Sequence, residues 1–305
     1  MWKPWHGFLL IYNIKLFKQK LCKEIINNDI INNINEKTIL DIIELQENQY
    51  CIACWDFKLR IIELNKNNTE CNIIQILAEH RNYINGLKRL NYYQNEIVFA
   101  SSSNDGKILL WKLENNSYNK FQEIECLPVE DIFNPLYQIE GLEESIKYHQ
   151  LICSYSLIEC IYFCNLNNLQ EIVPLRIKVN RCIRALKIIE NGDILIAAGN
   201  SEINIINVEL KAILISIKYG VNLEFNCIFQ KQNGNILITE YDAENETKIK
   251  EFNFNKNGLN LNLIRMKNNI FKSYITTIVE LGNGDLIFGG YDGNFKCFKK
   301  IQNKK

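Results

Sequence analysis

Apolar residues three apart recur along the chain at Ile39/Ile42, Ile84/Leu87, Phe133/Leu136, Ile183/Leu186, Phe225/Ile228 and Ile275/Ile278, at intervals of 42 to 50 residues. Three Asn-Gly pairs keep phase with them. Asn191-Gly192, Asn233-Gly234 and Asn283-Gly284 each begin eight residues after Ile183, Phe225 and Ile275. Asn-Gly is the preferred pair of a type I′ hairpin, because both residues accept positive φ. A second apolar stretch follows each turn: 194–198, 236–238 and 286–290. A third follows at 59–62, 108–111, 203–206 and 295–298, and a fourth run closes most units, as at 72–77. Short β-branched and aromatic runs bounded by Gly, Asn and Asp predict strands. No unit carries a long helical pattern, and only four prolines interrupt the chain.

Four strands repeated every 42–50 residues match the blade of a β-propeller. One such sheet has an apolar face too many to stand alone, and stacking buries both faces. The pattern therefore predicts one all-β domain over 1–305. Its blades span about 37–78, 79–125, 126–176, 177–217, 218–265 and 266–300, with 1–36 as a closing strand or arm.

One unit carries a more specific signal. It reads Glu79-His80-Arg81-Asn82-Tyr83-Ile84, then Ala100-Ser101-Ser102-Ser103-Asn104-Asp105-Gly106, then Ile108-Leu109-Leu110-Trp111-Lys112. This closely resembles a WD repeat, in which Gly-His leads into the first strand, Ser-x-Asp ends the second and Trp-Asp ends the third. Cys54-Trp55-Asp56 and Gly290-Tyr291-Asp292 are similar to the Ser-x-Asp position, and Asn200 stands at the Asp place of the fourth unit. The units at about 126–176 and 218–265 keep little of the signature. Six blades are recognisable, and seven are commonest in the family. After Ile275 the chain has room for three strands. The resemblance implies that the N-terminal segment supplies the missing outer strand, with Leu21–Ile25 as the candidate. Alternatively, 8–17 and 21–25 are outer strands of an incomplete seventh blade.

His80, Ser103 and Asp105 are the residue types of a hydrolase triad. The resemblance implies instead a structural network with Trp111, in which Asp accepts from His, His contacts Ser, and Ser meets the indole N–H. Such a network satisfies polar groups that are costly to bury. The resemblance also places the residue before each turn Asp at the propeller rim, namely Trp55, Asn104 and Tyr291. Loops leading into the first strands add Arg81, Asn82, Tyr83, Arg181 and Tyr274. Trp, Tyr and Arg are enriched among residues that dominate binding energy.

The remaining chemistry narrows the function. Thirty-five basic residues balance 35 acidic ones, so charge gives no reason to expect nucleic acid or an anionic membrane. The basic tail Lys299–Lys305 reads as a solvated end. No run approaches the ~18 apolar residues of a membrane helix, and the apolar run 8–12 is too short for a signal peptide. A cytoplasmic, or else nuclear, protein is expected. Its eleven cysteines then read as free thiols. Cys51 and Cys54 fall in a predicted strand, where residues three apart point to opposite faces. Cys160 and Cys164 would sit about 13 Å apart in a strand, too far for one metal. No phosphate loop or dinucleotide fingerprint is present, and Glu143-Glu144 reads as a solvated loop. No cofactor, metal or small-molecule substrate is expected.

The reading that follows is a non-catalytic scaffold of the WD-repeat type, holding a protein or peptide at its rim. Two alternatives stay open. A propeller enzyme would use a central channel, for which the first strands offer Asp41, Glu44, Arg184 and Lys187. A truncated or decayed piece of a larger WD-repeat protein would explain the eroded units.

Overall fold

The computed structural model of the protein describes residues 39–54, 56–64, 71–125, 139–155, 160–176, 183–189, 192–220, 223–242, 246–255, 258–268, 274–280, 284–290 and 295–298. The anticipated N-terminal strand and arm lie outside them. Consecutive strands form antiparallel meanders. The first sheet is β1 (Ile39–Gln46), β2 (Gln49–Cys54), β3 (Leu59–Leu64) and β4 (Cys71–Leu77). The second is β5 (Ile84–Arg89), β6 (Val98–Ser103), β7 (Lys107–Glu114) and β8 (Ser117–Glu125). The third is β9 (Ile139–Ser145), β10 (Gln150–Tyr155), β11 (Cys160–Asn165) and β12 (Ile172–Arg176). A fourth holds β13 (Ile183–Ile189), β14 (Ile194–Gly199), β15 (Glu202–Asn207) and β16 (Ala212–Lys218). A fifth holds β17 (Glu224–Gln230), β18 (Ile236–Tyr241), β19 (Thr247–Asn255) and β20 (Asn260–Lys267). The sixth has three strands among the described residues, β21 (Ile275–Glu280), β22 (Leu286–Gly290) and β23 (Phe295–Phe298). The sheets group into two compact units, one running to Pro174 and the other beginning at Leu175.

In the first unit, the core lies between neighbouring sheets. Phe99, Leu109 and Trp111 pack with Cys51, Ala53, Leu59 and Ile61 of the first sheet. Val98, Ala100, Ile108 and Leu110 pack with Leu151, Cys153 and Cys164 of the third. Successive residues of a strand point to opposite faces, so β6 feeds two cores at once, and all six of its residues are buried. This explains why the middle strands read as continuous apolar runs rather than alternating ones. A polar clasp joins the outer strands. The Gln75 Nε2 donates to the Tyr118 carbonyl and the Tyr118 N–H donates to Gln75 Oε1, both at 2.8 Å. The second unit repeats the stacking. Ile196, Ala198 and Ile205 pack with Ile236 and Phe252, and Leu237 and Ile249 pack with Ile275 and Phe288.

A backbone irregularity identifies the repeat more sharply than any side chain. In all six sheets the first strand shifts register just after its first apolar residue: Ile39, Ile84, Ile139, Ile183, Phe225 and Ile275. One residue is extra there, as in a β-bulge, which bends a strand and re-aims its side chains. The next residue is small or short: Asp41, Gly86, Gly141, Ala185, Cys227 or Thr277. At Gly86 an added Cβ would stand 2.9 Å from Ser102 Oγ.

Three sequence expectations are corrected here. Phe133/Leu136 does not begin the third sheet. Those residues lie outside the described ones, and the first strand starts at Ile139, with Leu142 completing the apolar pair. Apolar pairs recur by chance in so apolar a chain, whereas the bulge does not. Second, Glu143 and Glu144 are not loop residues. They lie in β9, buried. Third, the Asn233-Gly234 hairpin is not type I′. Only Gly234 has positive φ, at 84°, and its N–H donates to the Lys231 carbonyl at 2.9 Å. This is a turn closed by a left-handed glycine. Positive φ at both central residues occurs instead at Asn115 and Asn116, 50° and 64°, in the two-residue turn between β7 and β8.

Candidate binding rim

The β6–β7 turn of the second sheet is built around Asp105. One carboxylate oxygen accepts from His80 Nδ1 at 2.8 Å and from the Arg81 N–H at 2.9 Å, and the other accepts from the Lys107 N–H at 3.1 Å. Burial opposes ionisation of this carboxyl. The hydrogen bond from His80, with the two backbone N–H groups, outweighs burial and holds it below the usual carboxylate range. Gly106, at φ 80°, closes the turn.

From His80 the network runs inward. His80 Nε2 lies 2.8 Å from Ser101 Oγ, and Trp111 Nε1 donates to the same oxygen at 2.8 Å. An indole N–H can only donate, so the Ser101 oxygen accepts from it; in a neutral imidazole that donates to Asp105 through Nδ1, Nε2 is left to accept, and the Ser101 hydroxyl donates to it. The imidazole proton then sits on Nδ1, facing Asp105. Every donor has an acceptor along Trp111, Ser101, His80 and Asp105. The serine of this network is Ser101, and not Ser103 as the sequence suggested. Ser103 shares the strand face, but its hydroxyl donates to the Asn82 carbonyl and accepts from the Asp105 N–H, both at 3.1 Å. It shapes the turn and takes no part in the relay.

The first sheet solves the same problem differently. Arg60, fully buried, grips Asp56 through two hydrogen bonds of 2.9 and 2.6 Å. No reading of the sequence singled out Arg60. The signal was a basic residue four places after a turn Asp. This fold leaves Phe57 outside, 36% exposed and in the left-handed region at φ 66°. Its ring meets Tyr83 edge-on at 5.0 Å.

Arg81, Asn82, Tyr83 and Asn104 come together in the first unit. The Asn104 N–H donates to the Tyr83 carbonyl at 2.8 Å, tying the two loops side by side. Tyr274 belongs to the second unit. It packs on Tyr241 with ring centroids 4.2 Å apart. Burial, and then the charge and hydrogen bond of Glu224, push its hydroxyl above the usual range. Trp55, Arg181 and Tyr291 lie outside the described residues.

The channel candidates are tied into the fold. Asp41 accepts from the N–H groups of Leu87 and Ile42 at 2.7 and 2.8 Å. Burial raises its carboxyl to about 6 against those bonds and the charge of Lys88. Glu44 makes a hydrogen bond with Tyr50. Arg184 pairs with Glu224 at 3.0 Å, and Lys187 also has a partner. A different pair of acids does more between sheets. Glu143 pairs with Lys88 at 2.9 Å. Glu144 accepts from the N–H groups of Asn91 and Tyr92 at 2.9 and 2.8 Å. Glu280 does the same to the Gln232 N–H at 2.6 Å in the second unit. Among the described residues no group of three His, Cys, Asp or Glu side chains could hold a metal. Cys51, Cys54, Cys153, Cys160, Cys164, Cys227 and Cys297 take part in no disulfide, and Cys51 and Cys54 are buried. Among the described residues no helix is long and apolar enough to cross a membrane.

Three solved structures decide the architecture. A chain in the crystal structure of the mitotic checkpoint complex matches 87% of this chain over 76% of its own, at TM-score 0.69 and 12% identity. The Dos1 propeller matches 88% over 68%, at 0.61 and 13%. The β-propeller domain of Cps50 (Swd1) from Myceliophteria thermophila matches 90% over 90%, at 0.62 and 14%. The chain has the fold of a β-propeller. At such identities the likeness reaches no further than the fold. No family model matches the sequence, and no curated protein does. The six sheets are its blades, and the turns at Asp56 and Asp105 join the second and third strands of the first two.

Proposed function

We propose that this propeller is a non-catalytic docking platform that binds a protein or peptide at the rim of its first two blades. One observation carries the reading. The groups that could do chemistry at these turns are consumed by internal hydrogen bonds, while an aromatic pair and a set of polar side chains are presented around them. Asp56 is held by Arg60, and Asp105 by His80 and two N–H groups. Phe57, Tyr83, Arg81, Asn82 and Asn104 remain at the surface on a rigid frame. Exposed aromatics and arginine on a preorganised support are what a hot spot needs. The solved propellers of like fold include one from a checkpoint complex, which fits an assembly role. The cytosol or nucleus, where the thiols stay reduced, is the compartment this reading expects.

The test is affinity capture from the source cell, with the wild type beside a Phe57→Ser, Arg81→Ala, Tyr83→Ala variant. Thermal melts by circular dichroism guard against unfolding. A partner retained by the wild type and lost by an equally stable variant supports the rim. An unchanged set of partners moves binding elsewhere on the propeller.

A further inference from the structure

The docking surface proposed above is lopsided in the polar groups it leaves over, and this bears on the partner's chemistry. Asn82 Oδ1 accepts the Tyr83 N–H at 2.8 Å. A backbone N–H can only donate, so the oxygen end of that amide is fixed and its NH2 is left. Asn85 Nδ2 donates to the Ile139 carbonyl at 3.0 Å and also to Asn104 Oδ1. A carbonyl can only accept, so Asn85 must present nitrogen, Asn104 must present oxygen, and the Asn104 NH2 is left as well. Among the described residues, neither NH2 group has a partner, nor does the exposed guanidinium of Arg81 or the ammonium of Lys58.

The nearby acids are already engaged. Asp56 belongs to Arg60 and Asp105 to His80. Glu79 lies 3.9 Å from Lys120, and Glu140 is not free. The side chains left over are therefore four donors, two of them cationic, beside the Phe57–Tyr83 aromatic pair. A surface of donors favours a partner rich in acceptors, and its cations favour charged acceptors.

We infer that this rim takes an acidic peptide segment. Its carboxylates meet Arg81, Lys58 and the amides of Asn82 and Asn104, and a neighbouring apolar side chain rests on Phe57 and Tyr83. This rests on the docking reading and adds the class of partner.

The probes are two fluorescent dodecapeptides followed by anisotropy with the full chain. One carries aspartates and glutamates around one leucine and one phenylalanine. The other has every carboxylate replaced by its amide. The acidic peptide is expected to bind about tenfold or more tightly than the amide, since charge-assisted hydrogen bonds are roughly twice as strong as neutral ones. Arg81→Gln is expected to remove most of that difference while leaving the amide peptide unaffected. Equal binding of the two peptides, no binding of the acidic one, or indifference to Arg81→Gln overturns the inference. A displayed library of random peptides, selected on wild type and on the Phe57→Ser, Tyr83→Ala variant, separates the two readings. Acidic sequences enriched on the wild type and lost on the variant support both. Neutral or basic sequences lost on the variant keep the rim and overturn the acidic partner. Enrichment that the variant leaves unchanged overturns both.

Discussion

Replacing Ser101 with Ala tests the relay inside the second blade. The substitution removes one oxygen that serves two buried groups, accepting from Trp111 Nε1 and donating to His80 Nε2, each at 2.8 Å. Trp111 is 1% exposed and His80 6%, so water does not replace the lost partner. Leaving one buried polar group unsatisfied costs roughly 1–3 kcal/mol. Two such groups set the expected loss at about 2–5 kcal/mol. Ser103→Ala leaves an N–H and a carbonyl wanting at a partly exposed turn, and about 1 kcal/mol is expected. Urea titration at neutral pH measures both, with an unchanged slope showing that the unfolded state is the same. A Ser101→Ala, Trp111→Phe double variant removes one orphan along with its donor, so its loss should fall short of the sum of the two single losses. If Ser101→Ala costs no more than Ser103→Ala, the relay does not run through Ser101 and the hydrogen-bond assignment is wrong.

Other consequences can be measured on the same protein. Burial raises the Asp41 carboxyl from 3.8 to about 6, so the folded state keeps this proton longer than the unfolded one. Stability from this group is full below pH 3.8 and is lost as pH rises through 6. Asp41→Asn, whose amide keeps an acceptor for only one of the Leu87 and Ile42 N–H groups, should flatten that slope, removing about 1–3 kcal/mol of the stability lost between pH 4.5 and 7.5. Urea midpoints at pH 4.5 and 7.5 for both proteins check this. Glu144→Ala strands the N–H groups of Asn91 and Tyr92. A loss of about 1–3 kcal/mol is expected, with faster amide exchange at those residues, and unchanged exchange there would contradict it. Tyr118→Phe removes the 2.6 Å hydrogen bond to Gln49 and should lower stability by about 1 kcal/mol, read from the same titration.

Much of the fold was legible because a propeller repeats one physical problem. Five of the six first strands announced themselves by an apolar pair, and Gly192, Gly234 and Gly284 take the positive φ that their Asn-Gly pairs suggested. The third blade was misplaced because apolar spacing alone cannot tell Phe133/Leu136 from Ile139/Leu142. What separates them is the bulge, a property of strand pairing that leaves only a faint trace as a small residue two places on. Glu143-Glu144 looked solvated because two adjacent acids usually are. Here a lysine and two backbone N–H groups from the neighbouring blade await them, and such partners arise only once the blades stack. Ser101 and Ser103 both lie on the face of β6 that turns towards His80. Periodicity cannot choose between them, and the choice falls to how far the indole of Trp111 reaches. Arg60, on β3, does for Asp56 what His80, in the loop before β5, does for Asp105, which no spacing rule anticipates. At the rim, the sequence named the loop residues but missed Phe57, whose exposure follows from a left-handed turn.

The central claim is that a partner docks on the rim of the first two blades. A photo-reactive residue placed at position 57, and in a second protein at position 264 on the exposed outer strand of the fifth blade, tests it in the source cell. The account predicts that illumination joins the partner to position 57 and leaves position 264 bare. A partner joined at 264 and not at 57 would contradict it and move the docking surface to the outer strand.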